Sequence, residues 1–322
     1  MANANLHKAK DAKNDEFYTQ LTDVAKELMH YKAHFKDKIV LCNCDDPTWS
    51  AFWKYFHLNF SALGLKKLIS THYDKNEPTY KMEYTGGDDN DIEVGVKTPL
   101  EGNGDFRNKE CLDLLDESDI VVTNPPFSLF RKFVAVLMEY EKKFLIIGNK
   151  NATNDKDIFP LFFHDYCWFG FNSPIEFNTP TGVTKKISGL TRWFTNLDIT
   201  KRHEKLILWK NFSESEYKRF DNYDAINVDK VSEIPVDYDG VMGVPITFLD
   251  KYSPEQFELL GKTGDLNWAE NECNFFYPPE KHLQNKYKKQ NKTWRVQNAY
   301  YIEDGIAYNV YSRIFIRKKV GA

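Results

Sequence analysis

The sequence lacks the features of a secreted or membrane-bound protein. Its five cysteines are an odd number without regular spacing, which argues against a disulfide-bonded extracellular fold. No apolar run approaches the roughly 18 residues that a membrane span needs, and residues 1–15 contain no apolar stretch of the kind found in secretory signals. Cys42 and Cys44 have no second Cys or His pair at zinc spacing, so no metal site is expected. We therefore expect a cytoplasmic protein with reduced thiols.

A strong charge of either sign is also lacking. The 322 residues carry a formal net charge of −4, so the chain as a whole is not a basic nucleic-acid binder and any such surface has to be local. Hydrophobic residues make up 42% of the chain and charged residues 28%, proportions that are typical of a globular protein. The aromatic content of 15% suits either a dense core or a protein that stacks on flat ligands.

Short apolar runs alternate with helical patterns through the first half of the chain. The runs predict buried strands at Lys38–Cys42, Lys66–Thr71, Ile120–Thr123 and Phe144–Gly148. An aromatic-rich helix is predicted at Trp49–Phe60. Alternation of strand and helix predicts an α/β fold with a largely parallel sheet.

The character of the sequence changes beyond about residue 151, where short strands, loops and many aromatic residues dominate. Here the pattern predicts a strand at Leu206–Trp209. It also predicts a helix that begins near Ser253, because a serine followed by Pro254 is typical of a helix start.

A turn of unusual chemistry follows the predicted strand at Ile120–Thr123. It consists of Asn124, Pro125, Pro126 and Phe127, and its prolines have no N–H with which to continue a strand ladder. The Asn124 side-chain oxygen and the Pro125 carbonyl form two fixed acceptors for an NH2 group, while Phe127 offers a flat face to the ring that carries it. Open α/β sheets bind ligands at this end of a strand. For a Pro-Pro pair alone, a structural turn with Phe127 in the core is the alternative.

Basic residues are concentrated in a few segments. The candidates for phosphate contacts are Lys8, Lys10, Lys185, Lys186, Arg192, Lys288, Lys289 and Arg295. In the C-terminal segment, lysines and arginines are interleaved with Tyr287, Trp294, Tyr300 and Tyr301, a combination that favours nucleic-acid binding. A solvated charged surface is the equally supported alternative.

Several strings agree in their order with a known enzyme class. Phe17–Thr19, Cys42–Pro47, Gly104–Phe106 and Asn124–Phe127 resemble the ordered motifs of γ-type DNA adenine methyltransferases. More closely, residues 15–20, 41–47, 64–69 and 241–260 resemble the EcoRI adenine-specific DNA methyltransferase family, over essentially the whole chain. The resemblance implies a Rossmann-like, S-adenosylmethionine-dependent methyltransferase sheet with a C-terminal target-recognition region. Residues 1–150 would form the cofactor-binding catalytic domain, and residues 151–322 would complete the catalytic fold and recognise DNA.

The resemblance also implies roles for individual residues. Those implied to bind the cofactor S-adenosylmethionine are Tyr18, Thr19, Asn43, Cys44, Asp45, Asp74, Asp105 and Phe106. Asp74 is the candidate for the ribose hydroxyls, with Asp45 or Asp46 as alternatives. Asn124 and Pro125 would accept hydrogen bonds from the N6 amine of the target adenine, and Phe127 and Phe194 would stack on the flipped-out base. The glycine-rich turn of the wider class is missing after the first strand, as it is in the EcoRI-type family.

The implied activity is transfer of a methyl group to adenine N6 in double-stranded DNA, in a GAATTC-like site, by a monomeric enzyme. Whether a restriction endonuclease accompanies it stays open at this point. Two alternatives from other classes also stay open. An RNA adenine or protein glutamine methyltransferase can use the same Asn-Pro-Pro-aromatic chemistry, and a DNA-binding protein can retain the fold without catalysis.

Overall fold

A computed structural model describes most of the chain. The described residues are 18–74, 78–174, 176–178, 184–186, 189–264, 277, 279–290 and 294–321. They fall into two compact units, Met1–Ile199 and Thr200–Ala322. Strands beyond residue 151 therefore complete the first unit, and DNA recognition by the remainder stays a prediction.

The first unit is built on an eight-stranded mixed sheet. The strands of this unit are β1 (Tyr18–Thr19), β2 (Ile39–Cys42), β3 (Lys67–Thr71), β4 (Tyr80–Tyr84), β5 (Val96–Pro99), β6 (Ile120–Thr123), β7 (Lys143–Asn149), β8 (Trp168–Phe169), β9 (Glu176–Asn178), β10 (Thr184–Lys186) and β11 (Thr191–Thr195). The large sheet has the order β5-β4-β3-β2-β6-β7-β11-β8. Its centre, from β3 to β7, is parallel, and antiparallel strands flank it on both sides. The predicted α/β class is confirmed, but the sheet is mixed instead of largely parallel, because only the four central strands run parallel.

Six α-helices accompany these strands among the described residues. They are α1 (Leu21–Leu28), α2 (Ala51–Leu58), α3 (Phe60–Leu63), α4 (Lys109–Glu117), α5 (Phe130–Glu139) and α6 (Phe159–Phe163). Helix α2 begins where the Ser50 hydroxyl accepts hydrogen bonds from the N–H groups of Phe52 and Trp53, at 3.1 and 3.2 Å. None of the helices among the described residues is both long and apolar enough to cross a membrane.

The four central strands are the ones predicted from apolar runs. In β2 and β6 every side chain is buried, as expected for a parallel sheet covered on both faces. The core of the unit is strongly aromatic, and its largest fully buried side chains include Trp53, Trp193 and Tyr31. A separate three-stranded sheet pairs β1 with β9 and β9 with β10.

The second unit contains a four-stranded sheet and a helix–hairpin element. Its elements are β12 (Ile226–Asn227), β13 (Met242–Pro245), β14 (Phe257–Lys262), α7 (Lys281–Gln290), β15 (Tyr300–Glu303), β16 (Ile306–Asn309) and β17 (Arg313–Lys318). The sheet has the order β12-β13-β17-β14, and β15 pairs with β16 as a hairpin. Helix α7 lies beside this hairpin.

Two predictions for this part of the chain are wrong. The helix expected at Ser253 is a single turn, in which the Ser253 carbonyl accepts the N–H groups of Gln256 and Phe257. It leads directly into β14, because pairing of Phe257–Lys262 with β17 requires an extended backbone. The strand expected at Leu206–Trp209 does not form, since the Leu206 backbone bonds to the Gln256 side chain at 2.7 and 2.8 Å.

Candidate active site

The carboxyl ends of β2, β3 and β6 lie at one edge of the large sheet. Strand β2 runs parallel to both neighbours, so the turns that follow the three strands are close together. In the turn Asn43–Pro47 after β2, Cys44 has a left-handed backbone with φ of 66°. Glycine adopts this conformation most easily. A cysteine in the left-handed region thus takes the place of the glycine that the sequence lacks.

Two buried polar atoms at this edge have no hydrogen-bond partner among the described residues. They are the side-chain oxygen Oδ1 of Asn43, directly after β2, and the hydroxyl of Thr71, the last residue of β3. Because Cys42 pairs with Ser70 in the sheet, these two positions are neighbours. Buried polar atoms are almost always hydrogen-bonded in folded proteins, so the arrangement fits a polar ligand at this edge.

Gly104 places the Asp105 loop directly against the chain that follows β3. Its φ is 73°, and a β-carbon at this position would lie 2.2 Å from the carbonyl oxygen of His72. The backbone N–H of Asp74 donates to the Asn103 carbonyl at 3.3 Å. The structure therefore brings the segments of Asp74 and Asp105, both predicted to contact a cofactor, together at this edge.

The Asp105 carboxylate is held by a neighbour that the sequence did not identify. Arg107 donates from Nε and Nη2 to the two carboxylate oxygens at 2.8 and 2.6 Å, a bidentate arrangement. The hydrogen bond to Asp105 raises the pKa of Arg107. The Phe106 ring is buried and meets the ring of Phe133 edge to face at 5.0 Å. Arg107 thus fixes the orientation of the Asp105 carboxylate. A ligand amine that binds there would share this carboxylate with Arg107.

The Asn-Pro-Pro-Phe turn lies at the carboxyl end of β6, as predicted. Pro125 is buried, whereas Asn124, Pro126 and Phe127 are half-buried. The chain then forms a short 3-10 helix at Phe127–Leu129 and continues as α5. Phe127 packs against the main apolar core and keeps part of its ring exposed, an arrangement that allows it to contact a flat substrate.

Asp45, predicted to contact the cofactor, instead directs its carboxylate into the protein. It is 5% exposed and accepts hydrogen bonds from the Ser50 hydroxyl at 3.1 Å, the Thr123 hydroxyl at 2.5 Å and the backbone N–H of Asn124. Burial raises the pKa of this carboxyl to about 7, although the hydrogen bonds oppose the shift. Sequence reasoning missed Thr123, whose only signal is a hydroxyl at the end of an apolar strand.

The structure also separates the three acidic candidates for the ribose. Asp46 accepts hydrogen bonds from the Tyr80 hydroxyl at 2.8 Å and from the Thr48 hydroxyl at 2.7 Å. Its other oxygen lies 3.0 Å from Nδ1 of His72. The carboxylates of Asp45 and Asp46 are therefore both engaged within the protein, and the assignment of the ribose hydroxyls to Asp74 stays a prediction.

Phe194 lies in the core of the first unit. Its ring is 1% exposed, and its centroid is 4.9 Å from that of Phe130, 5.1 Å from that of Phe169 and 5.9 Å from that of Phe162. A ring enclosed in this way has no free face for a nucleobase. The role of second stacking residue stays a prediction, and this arrangement does not support it.

The predicted residues near the N-terminus are only partly described. Thr19 is buried on β1, and its hydroxyl has no hydrogen-bond partner among the described residues. The backbone of Tyr18 pairs with Asn178, but its side chain lies outside the described part of the chain. Lys8 and Lys10 lie outside the described residues altogether.

The other basic candidates are spread over both units. Lys185 and Lys186 form part of β10, but their side chains lie outside the described set. Arg192 on β11 is half-buried and donates to the Thr191 carbonyl at 2.9 Å. In the second unit the predicted basic residues Lys288, Lys289 and Arg295 are exposed.

The aromatic residues interleaved with the C-terminal basic residues have a different role from the one expected. Tyr287, Trp294 and Tyr300 are buried, and each pair of their ring centroids is 5.7 Å apart. They form the core between α7 and the β15–β16 hairpin, so they cannot stack on bases. The fourth interleaved aromatic residue, Tyr301, is half-exposed. Its ring stacks on that of Tyr308, with 5.8 Å between the centroids.

Comparisons with known proteins find a family match along nearly the whole chain. A family model described as adenine-specific methyltransferase EcoRI matches residues 5–319. The Type II methyltransferase M.EcoRI of Escherichia coli is 46% identical, with 79% of this chain and 88% of the relative covered. The Type II methyltransferase M.MpnI of Mycoplasma pneumoniae is 42% identical, with 79% and 84% covered. No solved structure matches the chain.

The family match spans nearly the whole chain, and both relatives are well above the similarity at which a shared family is secure. The predicted resemblance and the predicted enzyme class are confirmed, and such an enzyme requires a methyl donor. The chain belongs to the EcoRI family of adenine-specific methyltransferases.

Proposed function

We propose that the protein transfers a methyl group from S-adenosylmethionine to N6 of an adenine in double-stranded DNA. The observation that carries the proposal is the intact Asn124–Phe127 turn at the carboxyl end of β6, beside the turn Asn43–Pro47. We call these the catalytic turn and the cofactor turn. The names of the relatives, both Type II methyltransferases, support DNA as the substrate.

The proposed chemistry depends on acceptors that are fixed before the substrate binds. The lone pair of the adenine N6 is delocalised into its ring, so the amine is a poor nucleophile. Acceptors on the Asn124 side chain and the Pro125 carbonyl hold both amine hydrogens and favour a nitrogen with a localised lone pair. Such positioning lowers the barrier without a covalent intermediate. Bound S-adenosylmethionine supplies the electrophilic methyl group.

The target adenine has to leave the duplex, because a base inside the helix cannot reach the edge of a protein sheet. The exposed part of the Phe127 ring replaces some of the stacking that the base loses, at roughly 1–3 kcal/mol for one contact.

Four residues at the sheet edge are proposed to hold S-adenosylmethionine. The oxygen of Asn43 and the hydroxyl of Thr71 are buried polar atoms that its amine and hydroxyl groups can satisfy. Asp74 is proposed to bind the ribose hydroxyls, and Asp105 to accept the adenine amine of the cofactor. This set adds Thr71 to the residues implied by the family resemblance.

The finer properties of the enzyme are proposed from its relatives. Identity of 46% to M.EcoRI supports a GAATTC-like recognition sequence within a restriction–modification system. We propose that the enzyme acts in the cytoplasm as a monomer that modifies one strand per visit, without direct contact to an endonuclease. The exposed residues Lys288, Lys289 and Arg295 of the second unit are proposed to contact phosphates.

The variant Asn124→Ala tests the catalytic turn. It should slow single-turnover methyl transfer at least about 100-fold, as expected when one preorganised polar group is lost. Calorimetry should find the S-adenosylmethionine affinity changed by less than about 3-fold. Asn90→Ala, an exposed asparagine between β4 and β5, is the matched control and should behave as wild type. Loss of cofactor binding in Asn124→Ala would refute the role assigned to Asn124.

A further inference from the structure

Backbone pairing between β2 and β6 ends before the catalytic turn. In the described structure the ladder consists of Val40 with Ile120 and Leu41 with Val121. Pairing of β6 with β7, on its other side, continues as far as Thr123. Since β2 leads to the cofactor turn and β6 to the catalytic turn, side chains have to fix the distance between the two turns.

The catalytic turn has very few backbone donors with which to be held. Pro125 and Pro126 have no N–H, so Asn124 carries the only backbone N–H between Thr123 and Phe127. That N–H donates to the carboxylate of Asp45, in the cofactor turn. One carboxylate therefore takes the single main-chain donor available at the centre of the catalytic turn.

Asp45 is connected to three further elements. The Thr123 hydroxyl at the end of β6 lies within hydrogen-bond distance of both the Asp45 carboxylate and the Asn43 carbonyl. The Ser50 hydroxyl, which caps α2, donates to the other carboxylate oxygen at 3.1 Å. From β3, the Ser70 hydroxyl bonds to the Asp45 carbonyl. This network continues the connection between the strands at the point where the backbone ladder stops.

We infer that Asp45 is a positioning residue, which holds the catalytic turn at a fixed distance from the cofactor turn and touches neither cofactor nor adenine. The inference rests on the proposed function of Asn124. A carboxylate suits this task because its two oxygens accept all three donors, from Asn124, Thr123 and Ser50. An amide of the same shape has one acceptor oxygen and would turn its NH2 group toward donors.

A purely structural role is the simpler alternative, but it explains the residue less well. Burial raises the pKa of Asp45 to about 7, so the ionised side chain costs folding stability instead of supplying it. Burial also raises the pKa of Glu27 in the same unit, so what distinguishes Asp45 is the hydrogen bond that it accepts from the Asn124 N–H in the catalytic turn. Glu27 offers a comparison within the same unit, because it is also fully buried. It accepts the N–H groups of Phe171 and Asn172, far in sequence from the catalytic turn.

The test uses Asp45→Asn together with Thr123→Val and Thr123→Ser, with Glu27→Gln as the matched control for loss of a buried carboxylate. Asp45→Asn should slow single-turnover transfer at saturating S-adenosylmethionine about 30-fold or more, since small misplacements have effects of this order. The cofactor affinity should stay within about 3-fold of wild type. Thr123→Val should slow transfer to a smaller extent, whereas Thr123→Ser keeps the hydroxyl and should restore it. Glu27→Gln should leave the transfer rate unchanged.

Hydrogen exchange provides a readout that does not depend on activity. At about pH 8, above the pKa of about 7 of the Asp45 carboxyl, the amide of Asn124 should exchange at least about 10-fold faster in Asp45→Asn than in wild type, because it loses a charged acceptor. Amides of β3 should exchange as in wild type.

Two results would overturn the inference. One is unchanged exchange at Asn124 in Asp45→Asn, whatever the activity of the variant. The other is weaker cofactor binding with a normal transfer rate, which would make Asp45 a cofactor ligand. A wild-type protein that methylates no adenine would refute the proposed function instead, and the exchange of the Asn124 amide would then decide the inference about Asp45 on its own.

Discussion

Replacement of Gly104 by alanine should displace the loop that carries Asp105 and weaken cofactor binding. At this position φ is 73°, and a β-carbon would lie 2.2 Å from the carbonyl oxygen of His72 and 3.1 Å from the α-carbon of Tyr73. The left-handed backbone costs an alanine about 1–2 kcal/mol. The collision is with backbone, which cannot rotate away, and overpacking of this kind adds about 1–3 kcal/mol. The expected loss of unfolding free energy is therefore about 2–5 kcal/mol.

The variant Gly189→Ala separates the cost of the left-handed backbone from the cost of the collision with His72. Gly189 lies in the same unit with nearly the same φ, 74°, and no atom of the described structure lies within 4 Å of a β-carbon built there. It should lose only the backbone contribution of about 1–2 kcal/mol. Urea unfolding of both variants measures the difference, and calorimetry should show S-adenosylmethionine affinity at least about 10-fold weaker for Gly104→Ala alone. Equal losses in stability and unchanged affinity would refute the assigned contact between the two loops.

Three further predictions concern charge. The pKa of Asp45 rises on folding from 3.8 to about 7, so the stability that the protonated carboxyl contributes near pH 4 is lost as the pH rises through 7. In urea unfolding between pH 5 and pH 8, wild type should therefore lose roughly 3 kcal/mol of unfolding free energy relative to Asp45→Asn. Asn227→Leu removes an acceptor 3.0 Å from the buried Arg313 guanidinium and should destabilise the second unit by about 2 kcal/mol in thermal unfolding, a loss partly recovered by adding Arg313→Met. Lys288→Gln with Lys289→Gln should weaken DNA binding in a salt titration and reduce the slope of log K against log salt by about 0.9 for each lost phosphate contact.

The centre of the fold was predictable because its signals are local. Each of the strands β2, β3, β6 and β7 is a short apolar run between turn residues, and both of its faces are buried. The Asn124–Phe127 turn was predictable for the same reason, since proline chemistry acts over two or three residues.

Failures occurred where distant contacts override local patterns. Ser253 and Pro254 have the form of a helix start, yet pairing of β14 with β17 imposes a strand. In the apolar segment Leu206–Trp209, the Leu206 backbone N–H donates to the Gln256 side chain instead of to a neighbouring strand. The side chains of Ile207 and Trp209 are 86% and 68% exposed.

In the site too, residue types were predictable from the sequence, whereas side-chain directions depend on residues far along the chain. Asp45 was identified as a site residue, but the direction of its carboxylate depends on Thr123, 78 residues further along the chain. Phe194 has the right residue type for stacking, and only the packing of Phe130, Phe162 and Phe169 around it shows that its ring is enclosed.

Base-resolved sequencing of duplex DNA that has been incubated with the purified protein and S-adenosylmethionine tests most directly whether the protein methylates adenine N6. We predict N6-methyladenine confined to one short motif with wild type, and modification of that motif at least about 100-fold slower with Asn124→Ala. A wild-type protein that binds S-adenosylmethionine and leaves every adenine unmodified would contradict the proposed function.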